Sequence, residues 1–286
     1  MSMDINLALK GKTIVLTGAS MGIGYAVAKR CAADGARLVL ISRHRNDLEK
    51  IEPTLQHRPH EIYPLDVSNV DLVGQFSAYL EARYDHVNGL INCAGIYGPI
   101  GKTDEVSPTE FAEAVQINLL GTFNMCHALL PLLKKSPRAK IVNFSGGGAA
   151  SPFPRYSAYA VSKIAVVRLT ENMAIEYAPD GIDINVVAPG FVNTRLHQQT
   201  LEAGEKAGKD FVEMTKKQIE TGGVPPEKAA DLTAFLMSPA SDGITGRFIS
   251  APWDPWQEAS FITLLKQDKD IATLRRIDNK TFHKKA

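Results

Sequence analysis

The sequence is sparing in features that mark several large protein classes. It has three cysteines, Cys31, Cys93 and Cys126, far apart inside apolar stretches. An odd, scattered set argues against a disulfide framework, and no CxxC pair or His/Cys cluster has metal-ligand spacing. The three read as buried structural thiols, and no metal site is expected. The formal net charge over 286 residues is only +1, so no global charge balance speaks for nucleic acid or an anionic membrane as a partner. No apolar run approaches the ~20 residues that a membrane-crossing helix needs. The opening MSMDINLALKGK lacks the apolar core of a secretory leader. The expectation is a soluble cytoplasmic protein.

What is present is alternation. KTIVLTG (12–18), ARLVLIS (36–42), HEIYPLD (60–66), GLINCAG (89–95), AKIVNFS (139–145) and DINVVAP (183–189) read as strands, with a weaker seventh in GRFIS (246–250). Near-continuous apolar strands separated by helical spacing predict a parallel sheet covered on both faces. Right-handed crossovers then give a doubly wound α/β domain. Two helix starts are legible, at Ser107-Pro108-Thr109-Glu110 and at Pro226-Glu227. The polar helical stretch of about 194–223 predicts a lid inserted between strands six and seven. The main domain is expected over 1–252, with 253–286 as an extension packed on it or on a neighbouring subunit.

The first strand runs into Thr17-Gly18-Ala19-Ser20-Met21-Gly22-Ile23-Gly24. Between a strand and a helix, such a stretch lets the backbone turn tightly and approach a pyrophosphate, which meets the free N–H groups of the helix start. Gly18, Ser20, Met21, Gly22, Ile23 and Gly24 are the expected cradle. The second strand ends Ser42-Arg43-His44-Arg45, without the acid that would take up an adenosine ribose. Arg43 suits a 2′-phosphate instead, with Arg45 as a helper. NADP(H) is therefore favoured and NAD(H) remains possible. Asp66 and Val67 are placed to meet the adenine, and Asn92, Ala94 and Gly95 to lie along the cofactor.

These elements, with Asn118, Tyr159-x-x-x-Lys163 and Pro189-Gly190-Phe191-Val192-Asn193-Thr194, resemble the short-chain dehydrogenase/reductase family in order and spacing over roughly residues 8–250. The resemblance implies a seven-stranded Rossmann-type domain, a nicotinamide cofactor and a homodimer or homotetramer. It gives Tyr159 the proton transfer to a small alcohol or carbonyl substrate, Lys163 the nicotinamide ribose, and Asn118 a water relay. Pro189, Gly190, Val192 and Thr194 would fix the carboxamide. A nearby ammonium lowers a phenol's pKa, so Lys163 is expected to bring Tyr159 down.

The family usually supplies a serine thirteen residues before the tyrosine, and that position here is Gly146. Three readings stay open. Ser145 reaches the site from one residue earlier; backbone N–H groups of the run Gly146-Gly147-Gly148, or another side chain, hold the substrate oxygen; or turnover is lost and the cofactor is kept for sensing. The glycine run is also expected to open room for a bulky substrate. Trp253 and Trp256 could wall a substrate or anchor the tail. Asp254 between them reads as a turn former or a substrate acceptor. The basic tail (Lys266, Lys269, Arg275, Arg276, Lys280, Lys284, Lys285) reads as a solvated helix, or as a phosphate clamp with Arg195 and His197.

Overall fold

A computed structural model describes residues 7–57 and 59–276, apart from the side chain of Leu196. The apolar runs become β1 (Thr13–Thr17), β2 (Arg37–Ser42), β3 (Glu61–Pro64), β4 (Gly89–Asn92), β5 (Ala139–Phe144), β6 (Ile182–Ala188) and β7 (Phe248–Ser250). All pair in parallel, in the order β3-β2-β1-β4-β5-β6-β7. Successive residues of β2 show why the runs are continuous: Leu38 and Leu40 enter the core on one side of the sheet, Val39 and Ile41 the core on the other. A strand buried on both faces has no solvent side on which to place polar residues.

The α-helices among the described residues are α1 (Gly22–Ala33), α2 (Arg45–Ile51), α3 (Val70–Glu81), α4 (Pro108–Val115), α5 (Gly121–Lys134), α6 (Ser157–Glu176), α7 (Arg195–Ala203), α8 (Lys209–Glu220), α9 (Pro226–Met237) and α10 (Ala259–Gln267). Helices α1, α2 and α9 share one core; α3, α5 and α6 share the other. Ser107 caps α4 by accepting the Glu110 N–H at 3.4 Å, and Pro226 opens α9. Between α4 and α5 the chain widens into a π-helical turn over Gln116–Leu120, which nothing in the sequence pattern announces. Such turns are frequent at functional sites. Strand order reverses between β1 and β4, so the loops leaving their C-terminal ends diverge and frame a crevice.

The stretch from 195 to 220 is helical, as the sequence predicts. The C-terminal extension folds back onto its own domain. Leu265 of α10 is fully buried in the core beneath α1 and α9. Beyond it, the Phe248 N–H of β7 donates to the Ala272 carbonyl at 2.7 Å, Arg247 donates to the Ile271 carbonyl at 3.1 Å, and the Leu274 N–H to Glu171 at 2.8 Å.

The two tryptophans part company. Trp256 is buried, and its indole N–H donates to the Ala251 carbonyl at 3.1 Å, while Trp253 is 75% exposed. They form no common wall, and Trp256 is the anchor. Asp254 shapes the turn by accepting the Ser250 N–H at 2.7 Å. Of the basic tail, Lys280, Lys284 and Lys285 lie outside the described residues. Arg275 is paired with Glu171 at 3.4 Å and Asp270 at 3.5 Å, which ties it to the domain.

Candidate active site

The glycine loop is built by close packing. A β-carbon at Gly18, where φ is +67°, would lie 2.8 Å from backbone atoms of Ala94, and one at Gly24 would run into the Gly18 carbonyl. No side chain fits in either place, so the first turn of α1 sits on the Gly18 carbonyl and Gly18 on the β4 loop. Thr17 locks that contact: its hydroxyl accepts the N–H groups of Cys93 at 3.1 Å and Ala94 at 3.2 Å. Met21 stands at the N-cap of α1 without a side-chain capping bond, and Ser20, Ile23 and Gly24 flank it. The first N–H groups of α1 thus keep their free valence for an anion. Thr194 touches this loop from the lid, 3.3 Å from a β-carbon position at Gly22.

Arg43 is exposed just past β2, beside this loop, since the Ala19 N–H donates to the Ile41 carbonyl at 3.1 Å. Arg45 instead pairs with Glu49 at 3.8 Å. Asp66 is half-buried, with one oxygen committed to the N–H and hydroxyl of Ser68 at 2.9 and 2.6 Å. Val67 is buried against Gly121. Asn92 closes β4, and its amide donates to Asn143 at 2.9 Å and to Cys126 at 3.3 Å, as a cross-strand strut in the core. The Pro189 turn is fixed at Gly190, where φ is +78° and a β-carbon would meet Pro252 at 2.7 Å, while Val192 is buried.

Tyr159 and Lys163 lie one turn apart on α6, and both are buried. The Lys163 ammonium donates to the Phe144 carbonyl at 3.0 Å and stands 5.7 Å from the centre of the Tyr159 ring. It also lies 3.3 Å from a β-carbon position at Gly95, whose other neighbour is the Asn118 amide at 3.1 Å. Asn118, inside the π-turn, accepts the Ile96 N–H at 2.9 Å and donates to the Ile96 carbonyl at 2.8 Å and to Ser162 at 2.9 Å. Ser162 in turn donates to the Tyr159 carbonyl at 2.7 Å. A single buried amide therefore ties the β4 loop to the helix that carries Tyr159 and Lys163.

The electrostatics correct one expectation. Burial pushes the Tyr159 phenol up rather than down, with the Cys93 thiol adding to the rise. Burial lowers Lys163 to about 8. Removing both groups from water outweighs the attraction of an ammonium that is held on the Phe144 carbonyl. Burial thus favours the neutral phenol form of Tyr159.

The glycine run opens no room. A β-carbon at Gly146 would fall on the Tyr159 hydroxyl and lie 2.7 Å from Cζ. One at Gly147 would meet the Phe153 ring at 3.2 Å, and one at Gly148 would meet Ala160 and, at 2.9 Å, Phe153. The space vacated by three side chains is filled by Tyr159, Phe153 and Ala160. The Ser145 hydroxyl is buried without a hydrogen-bond partner among the described residues. The N–H groups of Gly146 and Gly147 likewise meet no carbonyl among them.

Above Tyr159 lies an aromatic seal that the sequence analysis did not single out. Tyr97 stands edge-on to Tyr159, with ring centres 4.8 Å apart, and to Tyr156 at 5.2 Å. Phe153 stacks on Tyr156 at 4.3 Å, and Phe211 of α8 closes on both. The one legible hint of Tyr97 is its place just past the Asn92–Gly95 loop. His197 is buried in this seal rather than offered to a phosphate. Burial lowers its imidazole to about 4, so it carries no charge at neutral pH and forms no cationic clamp with the exposed Arg195.

A family model described as enoyl-(acyl carrier protein) reductase matches residues 18–251. Levodione reductase of Leifsonia aquatica is 31% identical over 259 residues, covering 87% of this chain and 95% of its own. The 2,3-dihydro-2,3-dihydroxybenzoate dehydrogenase of Bacillus subtilis is 29% identical over 245 residues, with 83% and 93% covered. Among solved structures, a short chain dehydrogenase of Shigella flexneri complexed with NADP aligns with a TM-score of 0.75 at 26% identity, over 86% of this chain and 99% of that one. The ligand-free aldohexose dehydrogenase of Thermoplasma acidophilum aligns at 0.72 and 27%, over 86% and 94%. With the uncapped glycine loop, the buried Tyr159–Lys163 pair and the seven-stranded sheet, these matches place the chain in the short-chain dehydrogenase/reductase family of NAD(P)-binding oxidoreductases.

Proposed function

We propose that the protein interconverts a secondary alcohol and a carbonyl with NADP(H), Tyr159 giving or taking the proton. The observation that carries this reading is the buried Tyr159–Lys163 pair, held beside the glycine-loop crevice by Asn118. The bound nicotinamide would supply or accept the hydride. Gly18, Gly22 and the free N–H groups of α1 would hold the pyrophosphate, and exposed Arg43 the 2′-phosphate, which favours NADP(H) over NAD(H). NADP(H) pools usually run reductively, so carbonyl reduction is the favoured direction.

With glycine at 146, the substrate oxygen needs another donor. The N–H groups of Gly146 and Gly147 flank the α-carbon that the Tyr159 hydroxyl touches, and they have no acceptor of their own among the described residues. Ser145, one residue earlier, is buried with its hydroxyl unpartnered among the described residues and is the competing donor. Positioned donors of this kind contribute ~3 kcal/mol to a transition state.

The test is oxidation of NADPH and NADH by the purified protein against ketones, keto-sugars and 3-oxoacyl thioesters, alongside Tyr159→Phe and Ser145→Ala. Turnover with NADPH that is lost in Tyr159→Phe and kept in Ser145→Ala supports the whole reading. Tight NADPH binding with no turnover on the panel would favour a cofactor-binding protein without catalysis.

A further inference from the structure

The lid meets the body through two polar pairs set inside the aromatic seal. His197 and Thr200, one turn apart on α7, face the same way. His197 Nε2 lies 3.3 Å from the Tyr97 hydroxyl, and the Tyr156 hydroxyl donates to Thr200 at 2.8 Å. All four residues are at least nine-tenths buried. The Phe191 ring packs on the His197 imidazole, with centres 3.7 Å apart, and Phe191 belongs to the Pro189–Thr194 turn. The imidazole also meets the Val192 backbone, in the same turn. Tyr97 and His197 therefore stand between Tyr159 and the turn expected to hold the nicotinamide, with Tyr156 edge-on to Tyr97, which is where a substrate must enter.

We propose that these two pairs are the substrate-recognition set, and that they select a neutral, ring-shaped compound bearing a second oxygen besides the one that reacts at Tyr159. This rests on the oxidoreductase reading above. When such a compound enters, Tyr97 and His197, or Tyr156 and Thr200, exchange their mutual bonds for bonds to its second oxygen. The ring takes the place of part of the aromatic packing between Tyr97, Tyr156 and Phe191. Every group in the set is uncharged: three phenols or hydroxyls and an imidazole that burial keeps neutral. A carboxylate or phosphate placed there would be buried without a counter-charge, which excludes anionic substrates from this part of the site. A site built to bond an oxygen rejects a ligand that lacks it far more strongly than an apolar pocket rejects an extra group.

The test is binding to the protein saturated with NADP⁺, using ketones, so that cofactor and ligand are both oxidised and no reaction intervenes. Calorimetry compares cyclohexanone with cyclohexane-1,2-dione and cyclohexane-1,4-dione. The expected result is that at least one dione binds tenfold or more tightly than cyclohexanone. That preference should fall below twofold in Tyr97→Phe and in His197→Phe. Tyr97→Phe removes one oxygen and keeps the ring packing, so it carries the test alone if His197→Phe does not fold. Equal binding of all three ketones, binding of none, or a preference that survives Tyr97→Phe would overturn the proposal. The NADPH turnover and Tyr159→Phe measurements are independent of these probes, so failure here and failure of the oxidoreductase reading are distinguishable.

Discussion

The hydroxyl of Tyr159 occupies the volume that a β-carbon at position 146 would fill. The residue that replaces the family's usual serine thus makes room for the very side chain that serine normally assists. Loss of the serine and placement of the tyrosine are one structural event.

A methyl group at 146 therefore has to displace Tyr159. Gly146→Ala should destabilise the fold by about 1–3 kcal/mol through overpacking. In a double-mutant cycle with Tyr159→Phe, which removes the nearest atom, about 0.5 kcal/mol or more should be recovered as coupling. Urea denaturation of the four proteins measures both, and strict additivity would contradict the contact.

Lys163 should leave a signature in the pH dependence of stability. Its folded value of about 8 lies below the ordinary 10.5. Between those two pH values the unfolded chain holds the proton and the folded chain does not, so stability rises with pH across that window. Below pH 8 the full cost of burying the ammonium is present, on the order of 3 kcal/mol at 1.36 kcal/mol per unit. The difference in unfolding free energy between the wild type and Lys163→Met should accordingly shift in favour of the wild type from pH 8 to pH 10.5. A flat difference would mean that the ammonium is solvated.

Arg43 is exposed beside the glycine loop. Arg43→Ala should weaken NADPH binding by about 10- to 100-fold, as expected for loss of one charge-assisted contact of ~1.5–3 kcal/mol. NADH binding should stay within about twofold. Fluorescence titration with each cofactor reads the ratio, and an equal loss for both would remove the 2′-phosphate from Arg43.

The two tryptophans should differ sharply. Trp256→Ala removes a buried ring and its bond to Ala251 and should cost about 3–5 kcal/mol. Trp253→Ala, at a side chain three-quarters exposed, should stay within about 0.5 kcal/mol. Thermal unfolding of the two variants separates them.

The strands were legible because most of their residues are apolar and buried; β4 and β5 are buried throughout, with Asn92, Lys140 and Asn143 as their polar members. The lid was legible as polar helix, but its docking was not, because His197 and Thr200 acquire meaning only when Tyr97 and Tyr156 arrive from 100 and 44 residues away. The fate of the glycine run was equally hidden. A missing side chain reads as space in a sequence, and only packing reveals that Tyr159 and Phe153 claim it. The rise of the Tyr159 pKa was missed for a related reason: the charge of Lys163 is written in the sequence, whereas the desolvation that opposes it belongs to the fold. Helix α10 buries Leu265 completely but leaves much of its surface in solvent, too weak a periodicity to stand out.

The bond from Phe248 to Ala272 has a consequence for solubility and assembly. A terminal strand normally leaves a row of unmet backbone groups, a template on which a stray chain can nucleate. Here the segment 271–274 is laid along that margin and secured at Arg247 and Glu171. Growth of the sheet from one molecule into the next is blocked on the β7 side for as long as the extension stays in place. A strand added at this margin would first have to displace the extension from Phe248.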